Sequence, residues 1–434
     1  MNKTRDILIM ATIFVSSYVF FKQPFEGYVS YLIYALYFPL FISRFGVPRQ
    51  VLALFAPLLI SGLIYVWSGF NTSGQFLKVF IGFFASVMFY NLVIQFYKFD
   101  LKRLFKLYMK GAYYCSLIGI FQLVSFLVGF GPGYNYSWIF NKWAVTPGGL
   151  GIRMNSIFSE PAYFAAVIAP AFLVATYALI KRRKVLFLKR SQLIVIFIAF
   201  FLTFSTLGFI GMLVVLMLLL INLGFLRYAI VIGPVIFFGY QYAYENIDEF
   251  RDRMDGTQEV FGNQNIRNYR VHGSSFVLYN NYWVAKENFK AHPFFGTGLG
   301  SHPTAFDKYS LTNQFDVIQI EFNKMDANSM ALRLMSETGL YGMIIMGIIL
   351  VRFFVYKPRA KDEELWLIST GCLIIILLYL MRQGHYFLNG LPFFIWMYVY
   401  AKRQALEGVP DEKAVGTESD DDSSSKIKFI PTAD

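Results

Sequence analysis

An all-α polytopic membrane protein, with about twelve transmembrane helices and one large external loop, is the fold class this sequence predicts. Three observations lead there. Of the 434 residues, 56% are hydrophobic and only 15% charged, too few charges to cover soluble domains of that total size. Apolar runs recur at lengths close to the roughly 20 residues that cross a hydrocarbon core of about 30 Å. Lys and Arg gather in every second connection between those runs, as short cytoplasmic loops require.

The runs lie near 7–21, 28–43, 51–67, 76–96, 111–130, 161–180, 192–206, 208–223, 229–244, 328–354, 364–381 and 388–401. With the N-terminus inside, the connections after even-numbered runs are cytoplasmic and hold most of the 39 Lys and Arg. Lys98, Lys102, Arg103, Lys106 and Lys110 follow the fourth run. Lys181, Arg182, Arg183 and Lys184 with Lys189 and Arg190 follow the sixth, and Lys357, Arg359 and Lys361 the tenth. Membrane topology thus accounts for much of the formal charge of +12, and no nucleic-acid partner is expected. Cys115 and Cys372 fall inside apolar runs, which leaves no disulfide framework and no cysteine metal site. Lys22-Gln23-Pro24 after the first run does not read as a signal-peptide cleavage site.

The chain divides into nine spans over 1–244, an external loop over 245–327, three spans over 328–403 and a polar cytoplasmic tail over 404–434 that reads as disordered. Asp420 and Asp422 in that tail have no scaffold to hold metal-site geometry. Residues 131–160 form a second, shorter outward segment.

Ionisable residues near the bilayer are costly and so draw attention. Arg153 and Glu160 bracket the outer mouth of the sixth run, and Pro161 suits a first helical position, which makes Glu160 a helix-start residue. A carboxylate there either complements the helix dipole or does chemistry; on the former ground its ionised form is expected to be favoured. In the long outer loop, His292-Pro293-Phe294-Phe295-Gly296-Thr297-Gly298-Leu299-Gly300-Ser301-His302 carries alternate glycines whose backbone can approach a ligand and present N–H groups to an anion. The pattern lacks the dinucleotide-fold spacing. Arg267 and Arg270 upstream are cations suited to phosphate, or to an exposed loop surface. All four histidines, including His302 and His385, are expected outside. At the tenth run, Asp326 or Asn328 is expected to cap a helix, and Arg333 and Glu337, four apart, are expected to pair.

The order Arg153…Phe158-Ser159-Glu160-Pro161…Phe164-Ala165, then Trp283…His292-Pro293…Gly296-Thr297-Gly298-Leu299-Gly300, then Asn328…Leu332…Glu337-Thr338-Gly339…Gly342 resembles the bacterial O-antigen polymerase and O-antigen ligase superfamily. The motifs cover about residues 150–345. The resemblance implies a C-type glycosyltransferase-like fold in the bacterial cytoplasmic (inner) membrane, with an active site facing the periplasm or exterior. It implies a substrate of polyprenyl-diphosphate-linked oligosaccharide, and a chain-length regulator and a flippase as partners beside membrane lipid. Ligases commonly carry a histidine where this chain has Asn328, and that departure favours a repeat-unit polymerase making O-antigen, capsule or exopolysaccharide. Members also carry an arginine shortly before the position of Trp283, where this chain has Val277 to Tyr282; Arg267 or Arg270 takes that role in this reading.

Such a reaction asks for cations on the departing diphosphate and a carboxylate to take the acceptor proton. Arg153, Arg267 and Arg270 suit the first task, since guanidinium binds phosphate oxygens bidentately. Glu160 is the first choice of base and Asp326 the second, with Asn328, Gly296, Gly298 and His302 as substrate-binding candidates. No cofactor and no divalent metal are expected. The alternatives are an O-antigen ligase and a transporter or flippase of lipid-linked sugars; against the latter stand the absence of an internal repeat and the long late outer loop.

Overall fold

The computed structural model describes residues 3–21, 26–181, 187–224, 229–246, 273–314 and 323–407, with isolated positions between 248 and 258. Arg267, Arg270, Asp420 and Asp422 lie outside the described residues, as do Lys22-Gln23-Pro24 and the basic residues Arg182, Arg183 and Lys184.

Nearly all of the described secondary structure is helical. The helices are α1 (Lys3–Phe14), α2 (Val29–Phe45), α3 (Arg49–Trp67), α4 (Ser73–Phe96), α5 (Leu101–Leu127), the single turn α6 (Gly131–Tyr134), α7 (Pro161–Lys181), α8 (Arg190–Phe201), α9 (Thr206–Asn222), α10 (Ala229–Asn246), α11 (Gly273–Ala291), α12 (His302–Tyr309), α13 (Met330–Arg352), α14 (Glu363–Arg382) and α15 (Leu391–Glu407). Each of the twelve apolar runs falls on one of these helices. Six of them, α3, α4, α5, α7, α13 and α14, are long and apolar enough to cross a membrane. At about 1.5 Å per residue, the 12 residues of α8 reach only about 18 Å, short of a hydrocarbon core of roughly 30 Å.

Helix α1 is equally short, and the apolar run continues beyond it as extended chain. That non-helical backbone is satisfied by the protein itself: Ser17 O accepts from Lys142 N at 3.0 Å, and the Ser17 hydroxyl donates to Ile157 O. Irregular backbone is tolerated at membrane depth on that condition.

Helices α7 and α14 form the centre. Of their apolar windows, 83% and 78% are buried inside the protein, against 28% for α3. Small residues allow the close approach: Ala165, Ala166, Ala169, Ala171 and Ala175 on α7 are fully buried, and Gly371 of α14 lies against Pro170 of α7. Small side chains are the usual means by which membrane helices pack closely.

The connections sort into two ends, as the charge pattern predicts. At one end Asp6 meets Arg103 at 3.2 Å, Lys102 bridges Asp362 at 2.6 Å and Glu364 at 3.1 Å, and Lys361 N donates to Ala405 O. These are the connections assigned to the cytoplasm. The opposite end gathers the segments around Glu26, Lys142, Glu160, the glycine loop and Asp326.

Candidate functional site

The approach to Glu160 is built by a short hairpin. Strand β1 (Thr146–Pro147) pairs antiparallel with β2 (Ile152–Arg153), around Gly148, Gly149 and Gly151, all at positive φ. Beyond Arg153, buried hydrogen bonds pin the turn into α7. Gln122 Oε1 accepts from Asn155 N and Ser156 N at 3.2 and 2.9 Å, Gln122 Nε2 donates to Asn155 Oδ1 at 2.8 Å, and Trp143 Nε1 donates to Ser156 O at 2.8 Å. Glu160 follows this fixed turn, and its carbonyl accepts the first helical bond, from Phe164 N at 3.2 Å.

The Glu160 side chain opens into a cleft of about 320 Å³ that is also lined by Tyr28, Asn141, Lys142, Trp143, Ser159, Tyr163 and Leu388. Volumes near 300 Å³ lie at the lower end of the range of ligand sites. No hydrogen bond or ion pair engages the Glu160 carboxylate among the described residues. Its side chain is exposed at the cleft, with protein crowding it from the sides. Burial and then the charge of Asp326 push its pKa up, against the opposing pull of Lys142 and Arg153. This direction is opposite to the one expected from the helix dipole, and its causes are crowding by the surrounding protein and a like charge.

Asp326 lies at the same end and is held on several sides. Its Oδ1 accepts from Asn328 N at 3.0 Å and from Asn323 Nδ2 at 3.2 Å, and its Oδ2 stands 3.4 Å from His385 Nε2. The helix cap differs from expectation. Ser329, not Asp326 or Asn328, accepts from Leu332 N at the start of α13, because Ala327 and Asn328 take positive φ and fold Asp326 back one step early. Arg333 and Glu337 do pair, at 2.9 Å, with both side chains buried. Arg333 Nη1 also donates to Gly384 O at 2.9 Å, and its guanidinium covers the Tyr386 ring. The turn carrying His385 is thereby fixed over Asp326. Burial pushes the His385 pKa down, against the opposing pull of the neighbouring Asp326. Its ring packs 6.0 Å from that of Tyr163, on the cleft wall.

The remaining sequence candidates separate. The glycine loop braces the helices. Gly296 N donates to His292 O at 3.2 Å and Gly298 N to Glu337 O at 2.9 Å, so neither amide faces an anion. Gly296, Gly298 and Gly300 approach the backbones of Glu337, Gly62 and Gln75 so closely that no Cβ fits. Helix α13 breaks at Gly339, φ 58°, to receive the loop. His302 is fully buried, with Nε2 3.0 Å from Asn281 Oδ1, and burial lowers its pKa to about 3; it does not reach the cleft surface.

Three charged residues at this end escaped the sequence reading. Lys142 lines the cleft, Glu26 pairs with it at 2.7 Å, and Lys78 on α4 feels the charges of Glu26, Lys142 and Arg333. Lys142 had a signal, as the lone cation of the outward stretch 131–152. Lys78 had one too, as a charge inside an apolar run. The cleft itself therefore holds one carboxylate, Glu160, one cation, Lys142, and aromatic rings, with Asp326 and His385 paired nearby. That set can accept a proton and bind an anionic, hydroxyl-rich ligand. No protein-family model matches the chain, and no curated protein is significantly similar to it.

Proposed function

We propose that this protein is a lipid-linked oligosaccharide polymerase. It is a glycosyltransferase of a bacterial cytoplasmic membrane that crosses the bilayer about twelve times and works on the outer face. It moves a growing glycan from its polyprenyl diphosphate carrier to a hydroxyl of the next lipid-linked repeat unit. In this reaction the acceptor oxygen attacks the anomeric carbon, the carbon–oxygen bond to diphosphate breaks, and the diphosphate leaves with the bonding electrons. Glu160 takes the acceptor proton. Arg153, through its guanidinium, stabilises charge developing on the leaving group.

One observation carries the reading: Glu160 has no bound partner among the described residues, has a raised pKa, and shares its cleft with Lys142. A raised pKa makes the ionised carboxylate a stronger base. Of the aromatics lining the cleft, Tyr28 and Trp143 are buried and shape its wall, while the half-buried Tyr163 is left to meet a sugar. Glu160 is preferred to Asp326 because the latter's oxygens are already engaged by Asn323, Asn328 and His385.

The test is surface-glycan analysis of a deletion strain, with the purified enzyme acting on lipid-linked repeat units. Single repeat units in the deletion strain and elongated lipid-linked chains in the assay support the polymerase. Long chains left on carrier lipid indicate a ligase instead, and precursors trapped in the cytoplasm a flippase.

A further inference from the structure

We propose that Lys142, the cation lining the cleft, binds the entering anion in addition to Arg153, and that Glu26 is its resident counter-ion, displaced when a diphosphate ester enters. The identity of the anion rests on the polymerase reading; the exchange itself rests on the geometry of the pair.

Lys142 Nζ stands 2.7 Å from Glu26 Oε2 and 2.9 Å from Tyr28 OH, and 5.3 Å from the centre of the Tyr28 ring. Tyr28 OH donates to the same Glu26 oxygen. The side chains of Lys142 and Glu26 are 36% and 32% exposed, so solvent and ligands reach both. Ion pairs that open contribute little to stability. Nor is the pair needed to hold the segment in place. Asn141 clasps Val19 through both its amide atoms, Oδ1 accepting from Val19 N at 3.0 Å and Nδ2 donating to Val19 O at 2.6 Å, while Lys142 N donates to Ser17 O. The backbone under Lys142 is thus fixed without Glu26, and its ammonium is presented at the cleft wall that also carries Glu160.

Of the other described cations at this end, Arg333 is buried in its pair with Glu337, and neither it nor Arg153 nor Lys78 lines the cleft. A lysine ammonium binds phosphate as a compact point charge with rotatable donors. A diphosphate brings more negative charge than one carboxylate and so displaces it. Once displaced, Glu26 retains Tyr28 as a donor.

The experiment titrates purified full-length protein with farnesyl diphosphate, inorganic pyrophosphate and phosphatidylglycerol in separate arms, each monitored by calorimetry. Lys142→Ala is expected to weaken farnesyl diphosphate binding about 10- to 100-fold, the loss typical of one charge-assisted hydrogen bond. Lys142→Arg retains most of the affinity, and Glu26→Gln tightens binding by removing the competitor. Unchanged melting temperatures of Glu26→Gln and Lys142→Arg confirm that the fold is kept. Wild-type affinity in Lys142→Ala, or weaker binding in Glu26→Gln, overturns the proposal. Equal affinity for phosphatidylglycerol overturns the diphosphate assignment in favour of a lipid headgroup. Lysine-dependent binding by a protein that does not elongate lipid-linked units supports this site and rejects the polymerase. Elongation by Lys142→Ala at wild-type diphosphate affinity does the reverse.

Discussion

Gly384 lies so close to Asp326 that a Cβ built on it would stand 1.5 Å from the Asp326 carbonyl oxygen. No side chain fits there, so the turn bearing His385 and the segment bearing Asp326 are held together by the absence of one. Gly384→Ala is expected to push the two apart. The expected result is loss of elongation activity and a lower melting temperature in detergent, whereas Gly347→Ala, at a position where nothing lies within 4 Å, leaves both unchanged.

The two carboxylates are coupled through charge. Burial and then Asp326 raise the Glu160 pKa, while Lys142 and Arg153 lower it. Glu160 must be ionised to accept a proton, so activity is lost as pH falls through its pKa. Asp326→Asn removes the like charge and lowers that pKa, which moves the acid limb of the kcat/KM profile to lower pH. Arg153→Gln removes an opposite charge and moves it to higher pH. Profiles of the three enzymes check both signs.

The buried pair of α13 makes a stability prediction. Arg333→Ala leaves Glu337 buried without its cation, a change that typically costs about 3–5 kcal/mol. Replacing both, Arg333→Met with Glu337→Leu, removes the two charges together and costs less. Thermal unfolding of the single and double variants is the measurement, with the double variant expected to melt above the single one.

The helices were legible because hydropathy acts locally: each apolar run carries a helix, though the first leaves it at Phe14, and the alternation of Lys and Arg anticipated which connections meet. Glu160 before Pro161 and the Arg333–Glu337 pair were legible for the same reason, since both depend on neighbours within one turn. The glycine loop was not. Spacing shows that a backbone can approach something closely, but not that the N–H of Gly298 is taken by Glu337 O of helix α13. Lys142 and Glu26, separated by 116 residues, and His385 with Asp326 meet only through packing of several helices, and no local pattern encodes such a meeting. The sense of the Glu160 shift was missed because the helix dipole is local, whereas desolvation and the Asp326 charge are tertiary.

Sidedness is open to direct labelling. The native Cys115 and Cys372 are buried, so they give little background with a membrane-impermeant maleimide. Ser137 and Lys106 are exposed, at opposite ends of the helices. In intact cells a cysteine at Ser137 is expected to react, while one at Lys106 reacts only after permeabilisation.

The most direct test of the central claim is the elongation rate of Glu160→Gln, measured with purified enzyme and lipid-linked repeat units, with chelator present and no added metal. Glutamine keeps the shape of the side chain and removes its basicity. The account predicts that this variant binds the lipid-linked substrate and does not extend it, while Asp326→Asn keeps part of the activity. Elongation by Glu160→Gln at the wild-type rate would contradict it.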